Sequence, residues 1–175
     1  LTKVLGWTVD DKFEVEDKVA VFLGVPHTSI WDFVIGYFYY RAMGGHLTTM
    51  IKKEAFVFPL KYILRAMGAF PIDRSHPQKM LMSVMHEMQK PGTFHLVICP
   101  EGTRKPVAKW KTGYHTIATN CNIPVYLTGF DYASKRVGIF RRYELTGTAR
   151  EDTDRIQEIY RSYNLTGLHK DMYIA

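Results

Sequence analysis

His27 and Asp32 stand five positions apart in Pro26-His27-Thr28-Ser29-Ile30-Trp31-Asp32-Phe33, and Pro100-Glu101-Gly102-Thr103-Arg104 follows much later, after a hydrophobic strand-like run. An imidazole with a carboxylate beside it can take a proton from a hydroxyl. A glycine-containing turn that ends in arginine can hold a phosphate, because the guanidinium offers a planar fork of donors. Together the two segments imply chemistry on a phosphorylated alcohol.

Helix geometry limits how the first segment could work. On a continuous helix five residues turn through roughly 140°, which would aim the two side chains apart, so His27 is expected to precede the helix. Ser29 is a candidate N-cap with Asp32 in the position of a capping box, and the apolar stretch from Phe33 to Tyr40 continues as the helix. The ring then sits at the mouth of the turn. Asp32 can fold back, accept a hydrogen bond from one ring nitrogen and leave the other to act as a base. The plainer alternative is that Asp32 only caps the helix and His27 is a surface loop residue.

The spacing of His27 and Asp32 resembles the H-x-x-x-x-D motif of the glycerolipid (lysophospholipid) acyltransferases, which include the 1-acylglycerol-3-phosphate acyltransferases. Gly68-Ala69-Phe70-Pro71-Ile72-Asp73-Arg74 is similar to that family's second block, Pro100 to Arg104 to its third, and Ile123-Pro124-Val125 to its fourth. The blocks occur in the family's order and cover roughly residues 20 to 130. Two departures are visible. Pro26 stands where asparagine is common, as in a short bacterial subgroup, and Cys99 stands where phenylalanine usually precedes the Pro-Glu-Gly block.

The resemblance implies acyl transfer from a thioester donor, acyl-CoA or acyl carrier protein, to a hydroxyl of a lysophospholipid-like acceptor, with 1-acylglycerol-3-phosphate first among the acceptors. His27 would be the general base and Asp32 would hold its tautomer and stabilise the imidazolium. No acyl-enzyme is needed. Arg74 and the turn Glu101, Gly102, Thr103 and Arg104 would bind the acceptor's phosphate, with Glu101 holding Arg104 or an acceptor hydroxyl rather than touching the anion. The thioester enters as a co-substrate, and no bound cofactor or metal is expected. Two alternatives remain: a non-catalytic lipid or phosphate binder that keeps the fold, and an acyltransferase for a lyso-aminolipid without phosphate. Lys109-Trp110-Lys111-Thr112-Gly113 is a candidate second phosphate site or a solvated face, and Thr103 could instead cap a helix following the turn.

Other chemistries lack their residues. There is no Gly-x-Ser-x-Gly elbow for a serine hydrolase and no histidine spacing for a metal hydrolase. A thiol acyltransferase would need Cys99 beside His95, four residues back across a predicted strand, and Cys99 is expected in the core instead. Cys99 and Cys121, both in hydrophobic contexts, read as buried thiols of a reducing compartment.

Composition bounds the partners. The 175 residues suit one acyltransferase domain over 1–175, and 46% hydrophobic with 14% aromatic content excludes disorder. A net charge of +6 suits anionic partners: phospholipid headgroups, coenzyme A or nucleic acid. Nucleic acid is excluded on the absence of any recognised binding pattern. No apolar run is long enough to span a bilayer. Peripheral attachment to an anionic membrane surface, at the inner face and on the cytoplasmic side, is expected, with the segment from Phe56 to Met67 a candidate contact. No signal peptide is visible, and an amino-terminal anchor could be missing before Leu1.

The elements that must position these residues alternate. Strands are predicted at Val19 to Val25, His46 to Ile51, Ala69 to Asp73, Phe94 to Cys99, Pro124 to Phe130 and Arg136 to Leu145, with an edge strand within residues 3 to 16. Helices are predicted at Trp31 to Met43, Pro59 to Met67, Pro77 to Lys90, Gly113 to Asn120 and Asp152 to Tyr163, the last capped by Asp152. The expectation is an α/β fold with a mixed, largely parallel sheet, helices on both faces, and the motifs at strand ends along one edge.

Overall fold

Strand β3, Val19–Val25, is apolar at nearly every position, which suits a strand covered on both faces. In the computed structural model, which describes residues 3–4, 6–10, 13–73 and 75–169, it lies inside an eight-stranded sheet. The other strands are β1 (Lys3–Val4), β2 (Trp7–Asp10), β4 (Leu47–Lys52), β5 (Ala69–Ile72), β6 (Phe94–Ile98), β7 (Val125–Asp131) and β8 (Arg136–Tyr143). They are ordered β1-β2-β8-β7-β3-β6-β4-β5. Strands β3, β4, β5, β6 and β7 run parallel, whereas β8 is antiparallel to β7 and carries β2 parallel to itself. The sheet is therefore mixed and largely parallel, as expected, and the edge strand anticipated within residues 3 to 16 is the short β1, paired antiparallel to β2.

Alternation along β3 divides the core. Val21, Leu23 and Val25 face helices α3 (Pro77–Met88), α4 (Gly113–Cys121) and α5 (Ala149–Tyr163), packing with Val84, Met88, Ile117, Ile156 and Tyr160. Ala20 and Phe22 face α1 (Trp31–Ala42) and pack with Ile35, Tyr39, Tyr40, Phe130 and Val137. Helices thus cover both faces. The short α2 (Leu60–Ala66) sits between β4 and β5 with Leu64 its buried residue.

One predicted boundary is corrected. α5 starts at Ala149 and is capped by Thr148, whose hydroxyl accepts from the Glu151 N–H while the Glu151 carboxylate accepts from the Thr148 N–H. Asp152 is fully buried and instead accepts from Tyr143 and the Gly147 N–H and pairs with His115 at 3.1 Å, tying β8, α4 and α5 together.

Candidate active site

β3 and β6 are parallel neighbours in register at Leu23 and Ile98, so the loops that leave their carboxyl ends emerge side by side. One loop carries His27, the other Cys99 to Arg104. A hydrogen bond 74 residues apart in sequence fastens them: the His27 N–H donates to Glu101 Oε1 at 2.9 Å.

The first loop folds as its residue types demand. α1 begins at Trp31, leaving His27 ahead of the helix as helix geometry requires. Asp32 folds back over the loop, its Oδ2 accepting from the Thr28 and Ser29 N–H groups at 2.7 and 2.8 Å, and Ser29 Oγ accepts from the Trp31 N–H at 3.2 Å. Only the Asp32 half of the expected capping box forms: the helix is capped at Ile30, and the Ser29 hydroxyl takes the Trp31 N–H in place of that of Asp32. Asp32 is 2% exposed, and its Oδ1 accepts from the Tyr132 hydroxyl, which reaches in from the turn between β7 and β8. The same Oδ2 lies 3.3 Å from His27 Nδ1, an ion-pair contact off the line of a hydrogen bond. The loop is pinned from outside as well: Thr28 Oγ1 accepts from the Leu168 N–H at 3.0 Å. Gly167 is required there, since a Cβ at that position would come 2.5 Å from Thr28 Cγ2.

Burial opposes a charged His27, but contact with the Cys99 sulfur and the Asp32 carboxylate outweighs it and lifts the ring to about 10. Cys99 is itself pushed up by burial, against the pull of His27. Ring and thiol therefore each favour the charged form of the other. Glu101, 5% exposed, is raised by burial to about 7, and its Oε2 has no hydrogen-bond partner.

These groups open onto a cavity of about 920 Å³. His27, Asp32, Cys99, Gly102, Thr103, Arg104 and Lys111 form its polar end. Phe33, Gly36 and Tyr37 of α1 wall it on one face of the sheet, and Leu81, Tyr114 and Ile117 of α3 and α4 wall it on the other. The backbone at Gly102 has φ +67°, a conformation that favours glycine, and a Cβ there would meet Lys111 Cγ at 3.1 Å. The Lys111 N–H donates to the Pro100 carbonyl at 2.7 Å, so its stem lies across the turn. A base at the junction, cations at the rim and long apolar walls can hold an anionic lipid with its hydroxyl near the imidazole.

His27, Asp32, Gly102, Thr103 and Arg104 thus share one cavity. Arg74 lies outside the described residues. Its neighbour Asp73 pairs with Lys53 at 2.6 Å. Glu101 is corrected: it stands behind the cavity bracing the His27 backbone, where the expectation had it holding Arg104 or an acceptor hydroxyl. Thr103 caps no helix, since its hydroxyl accepts from the Lys105 N–H within an irregular stretch. Of the Lys109 to Gly113 segment, Lys111 and Gly113 line the cavity, while the Trp110 side chain is buried in the core.

Cys99 is a further correction. It and Cys121 are partly exposed rather than buried, and Cys99 lines the cavity beside His27. His95 lies at the other end of β6, bonded to the Tyr40 hydroxyl and the Asp17 carbonyl at 2.7 and 2.8 Å. The signal for Cys99 was strand register: in parallel neighbours, the residue after β6 must meet those after β3. Nothing local in the sequence announced Tyr132.

A family model described as Acyltransferase matches residues 8–128. No curated protein sequence matches the chain. Among solved structures, the 1-acyl-sn-glycerophosphate (LPA) acyltransferase PlsC from Thermotoga maritima superimposes with a TM-score of 0.54 at 17% identity, covering 83% of this chain and 68% of that one, which shows the fold. An APS kinase from Mycobacterium tuberculosis aligns at 11% identity and a TM-score of 0.32, covering 82% and 96%. With the model covering more than half its length, this chain belongs to the acyltransferase family.

Proposed function

We propose that the protein transfers an acyl group from a thioester, acyl-CoA or acyl carrier protein, to the hydroxyl of a lysophospholipid-like acceptor, 1-acylglycerol-3-phosphate first among them. The observation that supports this most directly is an imidazole set against a buried carboxylate where an apolar cavity meets a cationic rim. His27 takes the acceptor's proton as its oxygen adds to the thioester carbonyl. The thiolate then leaves and is protonated. Asp32, fixed by two backbone N–H groups and the Tyr132 hydroxyl, stabilises the imidazolium that forms between these steps. Arg104 and Lys111 hold the acceptor's phosphate beside Gly102, and the apolar walls take its chain. The raised basicity of His27 means that the ring holds its proton at rest, so kcat/KM climbs as pH rises and the free base becomes available.

The test is free thiol release from both thioester carriers with a panel of lysolipids. His27→Ala should lower turnover by roughly two to four orders of magnitude while ligand binding persists. A non-catalytic binder would have no turnover to lose. Arg104→Ala should raise the KM of the phosphate-bearing acceptor more than that of an uncharged one. Equal effects would remove the phosphate role and favour a lyso-aminolipid acceptor.

Contact with an anionic membrane belongs to the same reading. Among the described residues no helix is long and apolar enough to cross a membrane. The α2 shoulder, however, exposes Val57, Phe58, Tyr62 and Ile63 close to Lys53, Lys61 and Arg65, and Lys52 and Ala55 just before it line the cavity.

A further inference from the structure

The departure at Cys99 falls at the catalytic junction. In-register pairing of Leu23 with Ile98 sets Cys99 beside Gly24, and a Cβ on Gly24 would lie 3.9 Å from its sulfur. The bond from His27 to Glu101 ties the two loops, and the sulfur and the ring line the same cavity. We propose that Cys99 is a third member of the His27 and Asp32 pair: its thiol opens onto the same cavity as the ring and is the point at which thiol-directed electrophiles and disulfides shut the enzyme down.

The groups that face His27 are few. Asp32 reaches it from α1, Cys99 and Glu101 come from the loop after β6, and Tyr132 acts through Asp32 from the turn after β7. Burial and the Glu101 and Asp32 carboxylates disfavour a negative sulfur, and His27 opposes them. A thiol in apolar surroundings is sluggish, because the thiolate is the nucleophile. An imidazolium beside it, itself backed by a carboxylate, stabilises the thiolate once the thiol proton has left to solvent. Cys121 is the built-in contrast. It sits at the end of α4, packed against the α3–α5 core, and burial raises its thiol with no ring to offset that.

Methyl methanethiosulfonate serves as the probe. The Cys99 thiol loses its proton to solvent, the His27 imidazolium stabilises the thiolate, and the sulfur attacks the sulfenyl sulfur, forming a mixed disulfide as methanesulfinate leaves with the bonding electrons. Dithiothreitol reverses the step by exchange, ending as its cyclic disulfide.

The experiment treats the intact protein with stoichiometric reagent and follows labelling by peptide mass. Cys99 should label faster than Cys121, and His27→Ala should slow it by roughly tenfold for each unit by which the ring lowers the thiol's effective pKa. The mass readout is independent of the proposed acyl transfer, so failure of the one is distinguishable from failure of the other. With turnover as a second readout, activity should fall in step with Cys99 labelling, return with dithiothreitol and be protected by acyl-CoA. Cys99→Val should resist the reagent and move the ascending limb of the pH profile to lower pH. Equal labelling of Cys121, an unchanged rate in His27→Ala, or an unmoved pH limb in Cys99→Val would overturn the proposal. An acyl group found on Cys99 after exposure to donor alone would also overturn it, in favour of a covalent relay.

Discussion

A carboxyl that burial raises to about 7 makes Glu101 a pH-dependent brace. The folded state binds its proton more tightly than the unfolded chain. Its contribution to stability is therefore full below the usual carboxyl pKa near 4.5 and is lost as pH rises through 7. Glu101→Gln keeps an oxygen for the His27 N–H and cannot ionise. It should melt at the native temperature near pH 5 and above it at pH 8, by an amount equivalent to about 2 kcal/mol. Thermal melts at both pH values check this, and an offset that does not change with pH would mean that the carboxyl titrates normally. Residue types carried much of this site. His27 and Asp32 were legible because their relation is local, set by a helix start. The roles of Glu101, Cys99 and Tyr132 were not, because each depends on strand register or on a turn about 100 positions away.

At the level of elements, the strand and helix assignments were mostly legible, since β3 and its parallel neighbours are short apolar runs bounded by turn residues. The start of α5 was misplaced because Asp152 has the side chain of a cap, whereas Thr148 with Glu151 has the complete reciprocal geometry. α2 is the element least absorbed by the core. Phe58 is 78% exposed and Tyr62 59%, with the Lys61 ammonium 5.0 Å over the Tyr62 ring. Such a surface suits an interface between water and lipid, with rings in the headgroup layer and cations on phosphates. Replacing Phe58 and Tyr62 by serine should weaken co-sedimentation with anionic vesicles while leaving thiol release on a detergent-dispersed acceptor intact. A parallel loss of both would mean that α2 supports the fold and not the contact.

Across the whole molecule, the +6 charge and the cationic cavity rim point the same way. Binding to anionic vesicles should fall with added salt, since exposed charges are screened over about 10 Å at 0.1 M. Retention in high salt would assign the contact to apolar burial alone. The sheet explains why so distant segments converge: five parallel strands place their carboxyl ends along one edge, and the cavity runs past those ends onto both faces. That topology followed from the alternation of elements. The closure of the His27 loop by the segment after α5 did not, because it rests on single backbone bonds.

The strap from Thr166 to Leu168 carries a temporal consequence. The histidine loop is synthesised early, yet its outer restraint at Thr28 comes 140 residues later, after β8 and α5 are in place. A chain ending at Asn164 would still own every group named in the chemistry but would lack this latch. It should keep its helical signal, lose most of its turnover and exchange the amide protons of Thr28 and Ser29 faster with deuterated solvent. The loop that carries the base is thus held from outside by a segment that follows every strand and helix of the fold.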